Sequence, residues 1–308
     1  MTLHRFLPYR WRTQRDAARH AQAIIGVLDT PPIVPRADGL VLFSMIGTAV
    51  VLPYLVAVKS LWHQLDRGRV TLLDDGTLTA QDRALLAHHC GDPEIIGLGS
   101  VQLGPFPRGG CWERLLTILD RRRADYWVQL DSDTVTVGAV PEIESAIARN
   151  RSFMLLGGSE SEAGPETLVR FAARLHPDGP EDGHVQTRIE SRLGQLPTEP
   201  GWRYVRGCAG YAGFAAQGTD RRLAEAFLGQ MERMLGSDIA LWGTEQVASN
   251  FQLANDPGVV MLPYRRYLNY WGERWSEDAA FVHFVGTHRH HDGAYEAASR
   301  TAIAAIQR

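Results

Sequence analysis

The segment YWVQLDSDTVTVG, residues 126–138, decides the fold class. Its first five residues are apolar or aromatic around a single glutamine, the composition of a strand buried on both faces. The run then gives way to two aspartates one residue apart, Asp131 and Asp133. Open α/β sheets bind ligands in the crevice outside the carboxyl ends of their strands, so a buried strand ending in a pair of carboxylates marks a candidate site.

Working back from this strand, the chain alternates strands and helices. LVLFS (40–44) reads as a buried strand, followed by a turn at Gly47 and a helix from about Val50 through His63. VTLLDDG (70–76) reads as a second strand, and TAQDRALLAHH (79–89) as a helix with Thr79 as N-cap and Asp82 completing an acidic capping box. A short strand is expected at Ile95 to Leu98. In the helix WERLLTILDRRR (112–123), Trp112, Leu115, Leu116 and Leu119 share one face, while Arg114 and Arg121 are read as a solvated face. Such alternation predicts an α/β fold with a Rossmann-like, mostly parallel central sheet and helices on both faces.

The uncharged stretch 40–58 is nearly long enough to cross a bilayer, but Gly47, Thr48, Pro53 and Tyr54 interrupt it, and no stable membrane insertion is expected. Residues 1–38 read as an N-terminal helical extension and residues 39–308 as one domain. Within that domain, 157–201 is rich in Gly, Pro and acids around two short helical patterns. It is read either as a flexible lid or as a variable surface insertion.

A net charge of -3 and a pI near 6.4 provide no global positive field for nucleic acid or an anionic membrane. Of 32 basic residues only Lys59 is a lysine. Cys90, Cys111 and Cys208 form an odd set without CxxC spacing, so neither a disulfide framework nor a zinc knuckle is expected. Together with an N-terminus lacking signal-peptide organisation, this points to a cytoplasmic setting.

Two carboxylates at a strand end suit a hard divalent cation, Mg²⁺ or Mn²⁺, and such an ion can neutralise a diphosphate leaving group. DSDTV (131–135) also satisfies the pattern of haloacid dehalogenase-like phosphatases. Those resemble a fold with DxD on the first strand and a lysine downstream, whereas Lys59 lies upstream here. His283, at the end of the apolar strand FVHF, can add a nitrogen ligand. His288, His290 and His291 are read as surface residues, without the spacing of an independent zinc site.

With DSD at 131–133 and HFVGTHRHH at 283–291, the chain resembles a GT-A fold glycosyltransferase, nearest to glycosyltransferase family 8, the glycogenin and lipopolysaccharide galactosyltransferase type. That family carries DxD followed far downstream by HFxGxxKPW. The resemblance implies Mn²⁺ or Mg²⁺ on Asp131, Asp133 and His283, with Ser132 at the donor, Gly286 allowing close approach to the diphosphate and Arg289 standing for the family lysine. His290 and His291 replace its Pro-Trp pair.

EQVASN (245–250) resembles the family's DQDILN, which would set Glu245 on donor or acceptor hydroxyls and Gln246 near the anomeric carbon. The alternative is a polar helix start capped by Thr244. CAGYAGF (208–214) resembles the segment where the backbone passes the bound sugar, or else is a packed Gly/Ala strand. In this fold the nucleotide lies by the first strand and turn, which nominates Ser44, Met45, Gly47 and Thr48, with Asp75 at the end of the second strand. Asp75-Gly76 is also a turn signal. YRRYLNYWGERW (264–275) is read as an acceptor wall or simple packing, and the resemblance would set a lid at 157–201 on the acceptor side.

The expected function is metal-dependent transfer of a sugar from a UDP-linked donor to an acceptor hydroxyl on a glycan, lipid or protein. Retention of configuration is implied by the resemblance, and inversion with Glu245 as base is the alternative. The rival functions are the phosphatase and a non-catalytic sugar-nucleotide binder.

Overall fold

The structure is a computed structural model describing residues 9–196 and 201–308. The expected extension and the expected insertion each include residues outside that range, 1–8 and 197–200. Helix α1 (Tyr9–Ala23) leads into β1 (Leu40–Ile46), α2 (Val51–Leu65), β2 (Arg69–Asp74), α3 (Ala80–Cys90), β3 (Glu94–Gly97), α4 (Trp112–Arg121) and β4 (Tyr126–Leu130). Next come β5 (Thr134–Thr136), α5 (Pro141–Ala148), β6 (Phe153–Leu156), β7 (Glu166–Thr167), α6 (Leu168–Leu175) and α7 (Val185–Glu190). The chain ends with β8 (Arg203–Tyr204), β9 (Gly207–Phe214), α8 (Arg221–Leu235), α9 (Thr244–Ala254), β10 (Val260–Met261), β11 (Tyr267–Asn269), β12 (Phe281–His283) and α10 (Ala294–Ile306).

Seven strands form the central sheet in the order β10-β6-β9-β4-β1-β2-β3. β4, β1, β2 and β3 run parallel, as does β10 with β6, while β9 lies antiparallel between β4 and β6. This is the α/β architecture expected from the alternating pattern. Along β1 the two faces separate cleanly: Leu40 and Leu42 join the core beneath α2 and α10, and Val41 and Phe43 join the core beneath α4, α8 and α9. Burial on both faces is why these strands read as continuous apolar runs rather than alternating ones.

The stretch 40–58 folds as β1, a 3-10 turn (Thr48–Val50) and the first half of α2. Among the described residues no helix is long and apolar enough to cross a membrane. α3 starts with the capping box read from sequence: the Asp82 amide donates to Thr79 Oγ1 at 3.1 Å and the Thr79 amide to the Asp82 carboxylate at 2.9 Å.

A second, three-stranded sheet positions the site. β12 pairs antiparallel with β5, setting His283 opposite Thr134, and parallel with β11, setting Asn269 beside His283. Because β5 begins one residue after Asp133, this small sheet carries a histidine from 150 residues downstream to the carboxylate turn.

Candidate metal and donor site

Asp131 and Asp133 occupy the turn between β4 and β5, and neighbouring backbone pins that turn. The Asp131 amide donates to the Gly210 carbonyl of β9 at 2.8 Å, and the Phe284 amide donates to the Asp133 carbonyl at 2.8 Å. Thr134 Oγ1 donates back to the Asp131 carbonyl at 2.9 Å.

His283 is buried, with Nε2 3.2 Å from Asp133 Oδ1 and Nδ1 3.0 Å from Asn269 Oδ1. Asn269 is held by its own amide, which donates to the Leu156 carbonyl at 2.9 Å. Cys208 Sγ lies 3.3 Å from the same Nδ1. The ring has room only because residue 210 is glycine: a Cβ there would lie 2.3 Å from His283 Cε1.

Burial pulls the imidazole pKa down, but Cys208 and Asp133 beside it outweigh that effect and hold it well above its ordinary value. Burial acts on Asp133 in the opposite sense, and its contacts with His283 and Arg289 bring it below the usual carboxylate range.

Ligand atoms of Asp131, Asp133 and His283 all lie within 4.8 Å of one another, and they are the described residues that form such a group of three. Two carboxylates and one imidazole fit Mn²⁺ or Mg²⁺ by donor type. Arg289 Nη2 pairs with Asp133, and Arg289 Nε donates to the Phe284 carbonyl at 3.2 Å. Gly286, at φ 48, sits in the turn that returns Arg289 to the site.

Arg114 corrects the sequence reading. It is 6% exposed, and its guanidinium pairs with Asp131 Oδ1 and, at 3.1 Å, with Glu245 Oε2. Arg121, by contrast, is on the surface, paired with Glu94. The 3.6-residue pattern could not single out Arg114, because α4 is buried from Trp112 through Leu119 and has no solvated face there.

Glu245 is in the first turn of α9, 2% exposed, with Oε1 buried and without a hydrogen-bond partner. Thr244 does not cap that helix: its hydroxyl donates to the Ile239 and Leu241 carbonyls, and the N-cap is Gly243 at φ 104. Gln246 Nε2 donates to Gln186 Oε1 at 2.8 Å, tying α9 to α7.

Asp131, Asp133, His283, Glu245, Gln246, Gly286 and Arg289 all border one cavity of about 550 Å³. Thr48 and Ser132 border a second, of about 480 Å³, which shares Asp133 and Arg289 with the first and is walled on one side by His20 of α1 and Tyr295 of α10. Their rings stack 3.7 Å apart.

Ser44, Met45, Gly47 and Asp75 border neither cavity. Ser44 is fully buried and donates to the Leu130 carbonyl at 2.7 Å, coupling β1 to β4. Asp75 accepts from the Thr77 amide and hydroxyl, and a Cβ on Gly47 would lie 2.1 Å from its carboxylate, so these two residues pack one turn.

His290 lies beside His20 and Tyr295, and His288 meets Trp271 edge-on, each half-buried rather than on open surface. Lys59, which a phosphatase of the haloacid dehalogenase type would need beside Asp131, is buried elsewhere. Its amine donates to the Thr30 carbonyl and lies 3.2 Å from His89 Nδ1.

No family model matches the chain, and no curated protein does. Solved structures do match. The galactosyltransferase LgtC, in complex with donor and acceptor sugar analogues, is 14% identical with a TM-score of 0.47, over 80% of this chain and 87% of its own. Two further matches are also glycosyltransferases. WbbM, a bifunctional glycosyltransferase, is 13% identical at a TM-score of 0.46, over 83% of this chain. The match spans 47% of WbbM, about half its length. Mouse xyloside xylosyltransferase 1 is 14% identical at a TM-score of 0.41, over 79% of this chain and 96% of its own. At these values the chemistry rests on the side chains described above.

Proposed function

We propose that the chain is a metal-dependent glycosyltransferase that moves a sugar from a UDP-linked donor to an acceptor hydroxyl. The observation that carries this reading is the convergence of Asp131, Asp133 and His283 on one cavity, at the point where Asp133 also borders the second. Their donor set fits Mn²⁺ or Mg²⁺, which when bound supplies the charge that neutralises a departing diphosphate.

In this reading the nucleoside occupies the cavity bordered by Thr48, Ser132 and Tyr295, and the sugar and acceptor occupy the one bordered by Glu245 and Gln246. Arg289, common to both, donates to phosphate oxygens in the geometry suited to its planar fork. Glu245 Oε1, buried and unpartnered, accepts from a sugar hydroxyl, while Arg114 holds the other oxygen. The acceptor oxygen bonds to the anomeric carbon as that carbon's bond to the phosphate oxygen breaks, and the acceptor proton leaves with the diphosphate. Attack on the same face that the phosphate oxygen leaves retains the anomeric configuration.

A thermal-shift panel of sugar nucleotides with and without Mn²⁺ tests the proposal. Ligand at a hundredfold its Kd stabilises by about 2.7 kcal/mol, which is several degrees in a domain of this size. Stabilisation by no sugar nucleotide in the presence of Mn²⁺ refutes it. The anomer released, read by proton NMR, tests retention; an inverted product would assign Glu245 as the base.

A further inference from the structure

Gly157, Glu160, Asn269 and Trp271 border the larger site cavity and also a separate cleft of about 350 Å³. Trp271 therefore stands between two spaces. Tyr264 and Tyr270 add aromatic surface to the cleft, and Glu273 and Arg274 add charge. Trp271 also meets the His288 ring edge-on, with ring centroids 6.0 Å apart. Trp271 is nevertheless 50% exposed, and Trp242, which borders the site cavity, is 71% exposed.

Large aromatic faces held in water at the mouth of a cavity are the mark of a binding surface, because their burial is left for a ligand. The chemistry lining the cleft selects among ligands. Glu160, Glu273 and Arg274 make it too polar for an acyl chain, and the two carboxylates oppose a nucleic acid backbone. A pyranose ring matches both parts of the lining: its C–H face packs on an indole or phenol, and its hydroxyls bond to carboxylate, guanidinium and amide groups.

We infer that the outer cleft is a saccharide subsite, and that the acceptor is an oligosaccharide whose terminal ring enters the site cavity while the next ring lies against Trp271 and Tyr264. This rests on the transferase reading above.

The test uses the full chain with Mn²⁺, a panel of UDP-sugars and three acceptor series: glucose, maltose and maltotriose; galactose, lactose and a lactose-extended trisaccharide; N-acetylglucosamine, chitobiose and chitotriose. In at least one series the acceptor KM should fall about tenfold or more from mono- to oligosaccharide. In Trp271→Leu that advantage should shrink to about threefold or less, and in Trp271→Phe, which keeps an aromatic face, most of it should remain. A purely structural Trp271 would be replaced equally well by Leu, so equal behaviour of the two variants at matched Tm overturns the inference. Equal KM for mono- and oligosaccharides in the unaltered chain also overturns it. So does transfer confined to lipid or peptide acceptors. Donor hydrolysis without transfer to any saccharide overturns this inference alone, and absence of Mn²⁺-dependent donor binding overturns the transferase reading with it.

Discussion

Arg114 and Glu245 form a buried ion pair, 3.1 Å from Nη2 to Oε2, and the same guanidinium reaches Asp131, so one side chain couples the end of β4 to the start of α9. Removing one partner of a buried pair leaves the other uncompensated, at a cost of about 3–5 kcal/mol. Arg114→Met should therefore lower the urea midpoint strongly, and Arg114→Met combined with Glu245→Gln should recover part of the loss. If the single variant unfolds like the unaltered chain, the pair is not a stabilising element.

Asp133 lies in contact with His283 and Arg289, and a metal ion would take its carboxylate together with the neutral His283 imidazole. Asp133→Asn keeps the side-chain volume but removes the anion, so the Mn²⁺-dependent rise in Tm should vanish and donor turnover should fall by about a hundredfold or more. Retention of the Mn²⁺ response would exclude Asp133 as a ligand. His283→Ala should weaken Mn²⁺ binding in the same assay.

Asn269 does not reach the carboxylates; it fixes the orientation of His283 through Nδ1. Loss of such an outer partner costs about 10- to 100-fold in metal affinity. Asn269→Leu should show that loss by calorimetry while the far-UV spectrum stays unchanged. Gly210→Ala should have the same effect, since its methyl would lie 2.3 Å from the imidazole. Unaltered Mn²⁺ affinity in both variants would show that the ring does not bind the ion.

The pKa directions fix the sign of the pH dependence. His283 titrates well above its ordinary value in the folded protein, so its contribution to stability is complete below about pH 6.5 and is lost as pH rises through the folded value. Asp133 titrates below the ordinary value, so its contribution is present at neutral pH and is lost on acidification through its folded value. Metal-free Tm should therefore decline on the alkaline side, and Mn²⁺ affinity should rise over the same range, because the imidazole must be neutral to ligate. Calorimetric titrations from pH 6 to 9 that give a constant Kd would contradict this.

The elements around the site were readable because each is locally consistent: the capping box at Thr79 and Asp82, the buried strands β1 and β4, and helix α4 all announce themselves within a dozen residues. The direction of β9 was not readable. A strand covered on both faces has the same composition whichever way it runs, and it lies antiparallel here. The donor-side candidates divided for a similar reason. Thr48 and Ser132 reach a cavity, while Ser44, Gly47 and Asp75 are spent on β1 and its turn, and only the packing of three elements separates those fates.

By itself the sequence determined the strand–helix order and the carboxylates at a strand end, because burial pattern and residue chemistry are local properties. It also nominated His283 as their partner, from its place at the end of an apolar strand and then by resemblance. Only the tertiary structure decided that Arg114 is a buried counter-ion rather than a surface charge, that Asn269 orients the imidazole and that Gly210 makes room for it. Those roles depend on which side chains meet across strands and helices far apart in the chain, and no spacing along the sequence encodes that.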